Sequence, residues 1–429
     1  MDRQNADWVS VGGRVNASKP TQIIGGFLIL SRDSTYDALA GVIVFQEEPM
    51  TTTGLALWHY FFSLKDPRVK KRTEHRLLDI IAITLCGVIA GCKDWQKIEI
   101  WAKQQHAWLK TFLALPGGIP AHDTLERTFA RLHPPTFQRC FGKWMRALHQ
   151  ALGLQPIAID GKTLCSSGQP STGLKPLHLV SAWVSANQLT LGQVAVDSKS
   201  NEITAIPELL KLLELKGALI TIDAIGCQKK IVEQIVDGGG DYLITVKDNQ
   251  RRLMDDIQQQ FAAYFEDGLA GIKVDSYETE DRGHGRYERR RYTVLENLDG
   301  IQDRDAWAGL QVVGMCFHER TVNGETTSEV RYFIGSKQAS ARFYGEAFRG
   351  HWGIENPLHW RLDVLFGEDT NRVRDRAAAE NLAWLRRVAV TLLKQHPKKS
   401  SLSNKSFQAL LDPSFLQQIL ELFVNPGKV

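Results

Sequence analysis

The hydrophobic residues of the 429-residue chain change their period twice. Between residues 51 and about 150 they recur at helical spacing. HRLLDIIAITLCGVIAGC, DWQKIEIWAKQQHAWLKTFL, HDTLERTFARL and PTFQRCFGKWMRALHQAL predict four helices, with Asp123 or Thr124 as the cap of the third. After residue 150 the runs shorten. PIAIDGKTL, LHLVSAWVSA and LTLGQVAVDS are Val-, Ile- and Leu-rich and broken by Gly, Asn and Ser, which predicts three strands, the first two or three of them antiparallel. Then EITAIPELLKLLEL reads as helix, ALITIDAIG as strand, QKKIVEQIVDGG as helix, DYLITVKDN as strand and RRLMDDIQQQFAAYF as helix. Such alternation calls for parallel strands with right-handed crossovers, and the unbroken runs ALITI and YLITV suit strands buried on both faces.

The expected fold class is therefore α/β, a mixed sheet flanked by helices. Residues 270 to 335 alternate apolar with polar and carry the turn signal Asn323-Gly324, so a β-rich insertion precedes the last helices, expected over about 338 to 396. The domain plan is an extension over 1–49, a helical domain over 50–150, a catalytic domain over 151–400 and a tail over 401–429. Residues 1–49 show no extended period, and Met50 is read as the natural start of translation.

Charge changes the picture only locally. The net charge of +4 is too small for a polycation, so a nucleic-acid surface requires clustered Lys and Arg. Lys65, Arg68, Lys70, Lys71, Arg72 and Arg76 form one cluster, which is either a solvated face or a set of phosphate contacts. Arg282, Arg286, Arg289, Arg290 and Arg291 form another on a predicted hairpin, with Tyr287 and Tyr292 interleaved and Glu278, Glu280 and Glu288 nearby to balance them. The six cysteines include no CxxC pair, which argues against zinc and a disulfide framework and for a reducing cytoplasm. The most apolar run, residues 77–92, holds Asp79 and falls short of the ~20 residues of a membrane span.

The candidate chemistry lies in carboxylates. Asp160 ends the strand PIAID and Asp223 ends ALITID, each a lone acid emerging from an apolar run. Either would be a solvated strand end by itself. Two of them on strands that the topology can make neighbours would repel unless a divalent cation sits between them. In RGHWGIENPLHWRLDVLFGED, residues 349–369, a helical projection puts Leu358, Leu362, Leu365 and Phe366 within about 80° of Glu355, so Glu355 is expected inside the core-facing stripe. Pro357 predicts a kink there, and an ion pair with Arg349 or Arg361 is the plainer alternative for Glu355. Three carboxylates without clustered Cys or His make a hard oxygen site for Mg²⁺ or Mn²⁺. Two such ions about 3.5–4 Å apart serve in-line phosphoryl displacement.

DGK at 160–162, TIDAIGCQ at 221–228, DYLITVKDNQ at 241–250 and RGHWGIENPLHWRLDVLFGEDTNRVR at 349–374 resemble the DDE transposases of the ISAs1 insertion-sequence family, the IS4-like proteins associated with bacterial H-repeats. KDPR at 65–68, residues 75–95 and GIPAHDTLERTF at 118–129 resemble the N-terminal domain of that family. The resemblance implies an RNase H-like core, with Asp160, Asp223 and Glu355 as the catalytic and metal-binding acids and two ions as cofactor. Related families place a Tyr and an Arg before the glutamate and a basic residue after it, for which Tyr344, Arg349 and Arg361 are the candidates. The implied reaction is hydrolysis at a transposon end, freeing a 3′-OH that attacks target DNA.

Lys162, Lys247, Asn249, Arg286 and Arg289 are the further expected DNA contacts. Trp307, Trp352 and Trp360 are expected to pack in the core. The partners implied are the terminal inverted repeats and target DNA, held by a homodimer in the bacterial cytoplasm at the nucleoid. The alternatives are a decayed or domesticated transposase that only binds DNA and a nuclease that cuts without joining.

Overall fold

The apolar run beginning at Leu77 forms helix α1 (Leu77–Ile89), buried on nearly every side. It belongs to a computed structural model that describes residues 61, 64–69, 73–151, 155–196, 201–267, 273–283 and 285–422 of the unit Met50–Val429. In the other unit, Met1–Pro49, it describes only the short antiparallel pair Ile23–Ile24 and Phe27–Leu28. The reading of Met50 as a start, and the residues Lys70, Lys71 and Arg72, lie outside what is described. The one charge of α1, Asp79, is buried. Its carboxylate accepts the Leu115 N–H at 2.9 Å, and burial pushes its carboxyl above the ordinary range.

Helix α2 (Trp95–Gln104) starts at Asp94, which accepts the Lys97 N–H at 2.8 Å as a cap. Helix α3 (His122–Arg131) starts earlier than predicted. Ala121 precedes it, so Asp123 lies within the first turn, where a negative charge suits the helix dipole, and neither Asp123 nor Thr124 is the cap. Helix α4 (Pro134–Ala151) opens on a proline, whose missing N–H is harmless at that end.

The strands follow in the predicted order: β1 (Ile157–Leu164), β2 (Leu177–Val184), β3 (Leu189–Ala195), β4 (Leu219–Ile222) and β5 (Asp241–Val246). Helix α5 (Glu202–Leu210) precedes β4, α6 (Lys229–Asp237) joins β4 to β5, and α7 (Arg251–Asp267) follows β5. Across the sheet these five strands lie in the order β3-β2-β1-β4-β5. β1, β2 and β3 pair antiparallel, while β4 is parallel to β1 and β5 parallel to β4. That is the strand arrangement of an RNase H-like core.

The β-rich segment does not interrupt this sheet. Strands β6 (Val274–Gly283), β7 (Arg286–Leu295), β8 (Val312–Val322) and β9 (Glu325–Gly335) form a meander whose last strand pairs antiparallel with β5, giving one nine-stranded sheet. The free edge of β5 is covered in this way, which removes an exposed row of backbone donors and acceptors.

Four helical segments complete the core: α8 (Ala341–His351), a π-helical stretch Ile354–Trp360, α9 (Arg361–Phe366) and α10 (Arg376–Gln395). Buried along most of its length, α10 packs against α1, α3 and α4 and against β2 and β3, so the N-terminal helices and the sheet share one core. Its Asn381 amide donates to the Phe129 and Leu132 carbonyls, both at 2.9 Å, closing the end of α3. Beyond residue 400 the expected tail is helical instead. Ser401 and Asp412 cap α11 (Leu402–Leu411) and α12 (Pro413–Glu421). Among the described residues no helix is long and apolar enough to cross a membrane.

Candidate active site

Strand register brings the two aspartates together. Ile159 on β1 pairs with Ile222, the last residue of the parallel strand β4, so Asp160, midway along β1, stands beside Asp223, just past the C-terminal end of β4, on strands about 4.8 Å apart. That end of an open α/β sheet is where ligands bind. Asp223 caps the short turn after β4, accepting the Ile225 N–H at 3.1 Å. The loop after β5 holds this turn from the far side: the Asn249 amide donates to the Ala224 carbonyl at 2.7 Å, and the Gln250 amide to Cys227 at 2.8 Å.

Burial pushes the Asp160 carboxyl up to about 7. The Gly161 N–H works against this, and the charges of Asp223, Glu202 and Glu355 add to it. Asp223 is raised in the same direction, by burial first and then by Glu202, with Lys247 opposing. Burial dominates both shifts, and the neighbouring acids add to it. Lys247, expected on DNA, is exposed at the end of β5, near enough to act on Asp223.

Glu355 lies within electrostatic reach of Asp160, but not where the projection put it. It is exposed, while Ile354, Leu358, Leu362 and Phe366 form the buried stripe. Residues 354–360 form π turns, with hydrogen bonds from i to i+5, so a projection at about 100° per residue fails across them. Glu355 and Trp360 stand one π turn apart, and Trp360, expected to pack, is 59% exposed. The alternative ion pairs for Glu355 do not form, because Arg349 binds Asp281 at 2.6 Å and Arg361 donates to the side-chain Oε1 of Gln188.

Two functional-looking residues escaped the sequence reading. His178 Nε2 meets Glu202 Oε1 at 2.7 Å, and its Nδ1 meets Thr163 Oγ1, also at 2.7 Å. These lie on the sheet face opposite Asp160, and Gly161 lets them approach: a Cβ there would stand 2.3 Å from Glu202 Oε1 and 2.5 Å from His178 Nε2. The only signal in the sequence was a histidine within the apolar strand LHLVSAWV. Gly161→Ala is expected to cost about 1–3 kcal/mol through this overlap, read as a lowered chemical-unfolding midpoint.

Among the described residues no three His, Cys, Asp or Glu side chains stand at the spacing of a closed metal site. The donor set nevertheless suits a hard divalent cation, since half-buried carboxylates raise one another's proton affinity and a cation relieves that repulsion.

Two family models match the chain. One described as "Transposase DDE domain" covers residues 152–392, and one described as "DDE_Tnp_1-associated" covers residues 58–145. The chain belongs to the DDE transposase family. It is 38% identical over 370 residues to "H repeat-associated putative transposase YhhI" of Escherichia coli (strain K12), a match spanning 85% of this chain and 97% of that protein. It is 36% identical to "Putative transposase YncI" of Escherichia coli O157:H7, across 85% of this chain and 94% of that one. A solved piggyBac transposase synaptic complex with hairpin DNA aligns with 86% of this chain and 82% of that one, at TM-score 0.37 and 12% identity.

Several residues of the transposase that were expected on DNA are already occupied. Tyr344 is fully buried under Gly335 and donates to the Lys337 carbonyl at 2.5 Å. Arg289 forks onto Glu278 at 2.8 and 3.1 Å, Arg291 shares that carboxylate, and Arg286 lies 3.6 Å from Glu288. The meander is thus a ribbon of ion pairs, in which Glu278 and Asp281 of β6 and Glu319 of β8 oppose the arginines of β7, and Glu288 pairs with Arg286 and Arg290 along β7 itself. In the N-terminal cluster Arg68 is likewise bound, to Asp66 at 2.8 Å. Trp307 packs in the core, and Trp352 is half-buried beneath the Arg331 guanidinium at 4.3 Å.

Proposed function

We propose that this transposase hydrolyses a phosphodiester at each end of a transposon and passes the freed 3′-OH to target DNA. The observation that supports this best is the β1–β4 register, which sets Asp160 beside Asp223 where β4 ends, with the charge of Glu355 reaching Asp160. In this reading Asp160, Asp223 and Glu355 would together hold two Mg²⁺ or Mn²⁺ ions. When bound, the ions neutralise charge on the attacking and leaving oxygens of the displacement. Asp160, raised to about 7, must shed its proton to serve. The exposed Lys247 contacts a phosphate, while Asn249 braces the Asp223 turn. Two transposon ends call for a homodimer on double-stranded DNA, acting in the bacterial cytoplasm.

One observation favours a second reading, a DNA-binding protein without catalysis: the acids do not stand at ligation spacing. The test is a 3′-end-labelled linear duplex carrying the DNA that flanks the gene, incubated with and without Mg²⁺. The proposal expects Mg²⁺-dependent cleavage and joined products, and at least about a hundredfold less of both for Asp223→Asn and Glu355→Gln with retention of the duplex unchanged. Retention without cleavage supports the second reading, and cleavage without joining a nuclease.

A further inference from the structure

Lys162 was expected on DNA, and its surroundings assign it a different task. It is 8% exposed, and its ammonium donates to Asp363 Oδ2 at 2.9 Å and to Asp369 Oδ1 at 3.1 Å. Burial works against its charge, but the two carboxylates outweigh burial and hold the proton above the ordinary lysine range. So enclosed and so paired, the amine has no path to a phosphate. We propose that Lys162 is a positioning residue, which clamps the helical segment carrying Glu355 onto the strand carrying Asp160. The proposal rests on the reading of those acids as the reacting centre.

Asp160 and Lys162, two apart on β1, point to the same face of the sheet. The π-helical stretch lies against that strand and runs without a break into α9, where Asp363 sits two turns beyond Glu355. The same two elements are tied at three other points. The Ser166 N–H, just past β1, donates to the Asp369 carbonyl at 3.1 Å, and Arg374 donates to the Ser166 carbonyl. His359, one turn after Glu355, brings Nδ1 to 3.8 Å from Asp160 Oδ2, and burial drives that imidazole down to about 3, so the contact is with a neutral ring. The Asp369 N–H closes the cluster by donating to Asp363 Oδ1 at 3.3 Å. One ammonium thus compensates two acids of the Glu355 segment while standing two residues from Asp160. Without it the two carboxylates repel each other and the strand loses its charged anchor. A misplacement of about 1 Å between reacting groups costs roughly a hundredfold in rate.

The test compares Lys162→Met, Lys162→Arg and Asp369→Asn with the full-length wild-type chain, on the flanking-DNA duplex. The expected result for Lys162→Met is cleavage about a hundredfold slower, duplex retention within about twofold of wild type, and a higher Mg²⁺ concentration for half-maximal cleavage. Lys162→Arg, which keeps the charge, should recover at least about tenfold of the loss, a rescue that a merely space-filling role would not produce. Wild-type cleavage by Lys162→Met overturns the clamp, and so does a loss of duplex retention in step with cleavage, which would make Lys162 a DNA contact. Should Lys162→Met not fold, Asp369→Asn decides: slower cleavage with a raised Mg²⁺ requirement at an unchanged melting temperature supports the clamp, and unchanged cleavage overturns it. Asp160→Ala run alongside separates the two levels. If that variant still cleaves, the reading of the acids fails; if it is inactive while Lys162→Met is normal, only the clamp fails.

Discussion

Asp160→Asn is expected to abolish Mg²⁺-dependent cleavage and, at the same time, to raise the melting temperature of the metal-free protein above pH 7. The Asp160 carboxyl sits at about 7 in the fold, chiefly because burial disfavours its charge. In an unfolded chain it ionises near 4. Between those values the folded state binds more protons than the unfolded one, so stability falls as pH rises through that window. Above it the penalty is complete, and a displacement from 3.8 to about 7 sets an upper bound of about 4 kcal/mol. Asparagine keeps the shape and removes the charge. The gain in melting temperature should therefore be largest near pH 8 and smaller at pH 5. Mg²⁺ should stabilise the wild type at pH 8 and the variant much less, because a cation binding the folded state relieves the same repulsion. A scan of both proteins at the two pH values, with and without Mg²⁺, checks this. No gain at pH 8, or an equal gain at pH 5, would sink the account of Asp160 as a strained, cation-seeking acid.

Glu368→Ala should lower the stability of the fold by about 3–5 kcal/mol, read by chemical unfolding. Glu368 and Arg387 are both 0% exposed and meet at 2.9 Å. Arg387 also donates to the Ala383 carbonyl at 3.1 Å and to Ser181 Oγ at 3.3 Å, which joins α10 to β2. Its neighbour Arg386 is buried too, lowered by burial to about 10 and still charged at neutral pH. Glu368 is the carboxylate in contact with Arg387, so its removal leaves that enclosed guanidinium uncompensated, while Arg386 keeps the charges of Asp363 and Asp94. Replacing the pair together, as Glu368→Gln with Arg387→Met, should recover a good part of the loss, because the penalty belongs to the orphaned charge and not to the missing pair. A loss below about 1 kcal/mol in the single variant would mean that water reaches the site.

The same buried pair shows where sequence reading stopped. The motif GEDTNRVR, residues 367–374, was legible as part of a family signature, but the work of its acids was not. Glu368 serves Arg387, and Asp369 serves Lys162, 207 positions away. The strands were legible because buried parallel strands are continuously apolar, as LITI and DYLITV are. Asp160 and Asp223 stood out because each ends such a run. Glu355 was singled out by a regular helical projection and misplaced in its environment, since Pro357 signals a kink but not the π turns that run over 354–360. Tyr344 and Arg289 were read as free donors, and each is satisfied within the protein.

Period and chain chemistry alone therefore determined most of the helices before residue 400, the succession of strands along the chain and the two aspartates that close apolar runs, because these depend on residues within a turn or a strand of one another. Only the tertiary structure decided which charges are free. A charge finds its partner through strand register and helix docking, across more than 200 positions for Lys162. Sequence neighbours carry no record of that meeting.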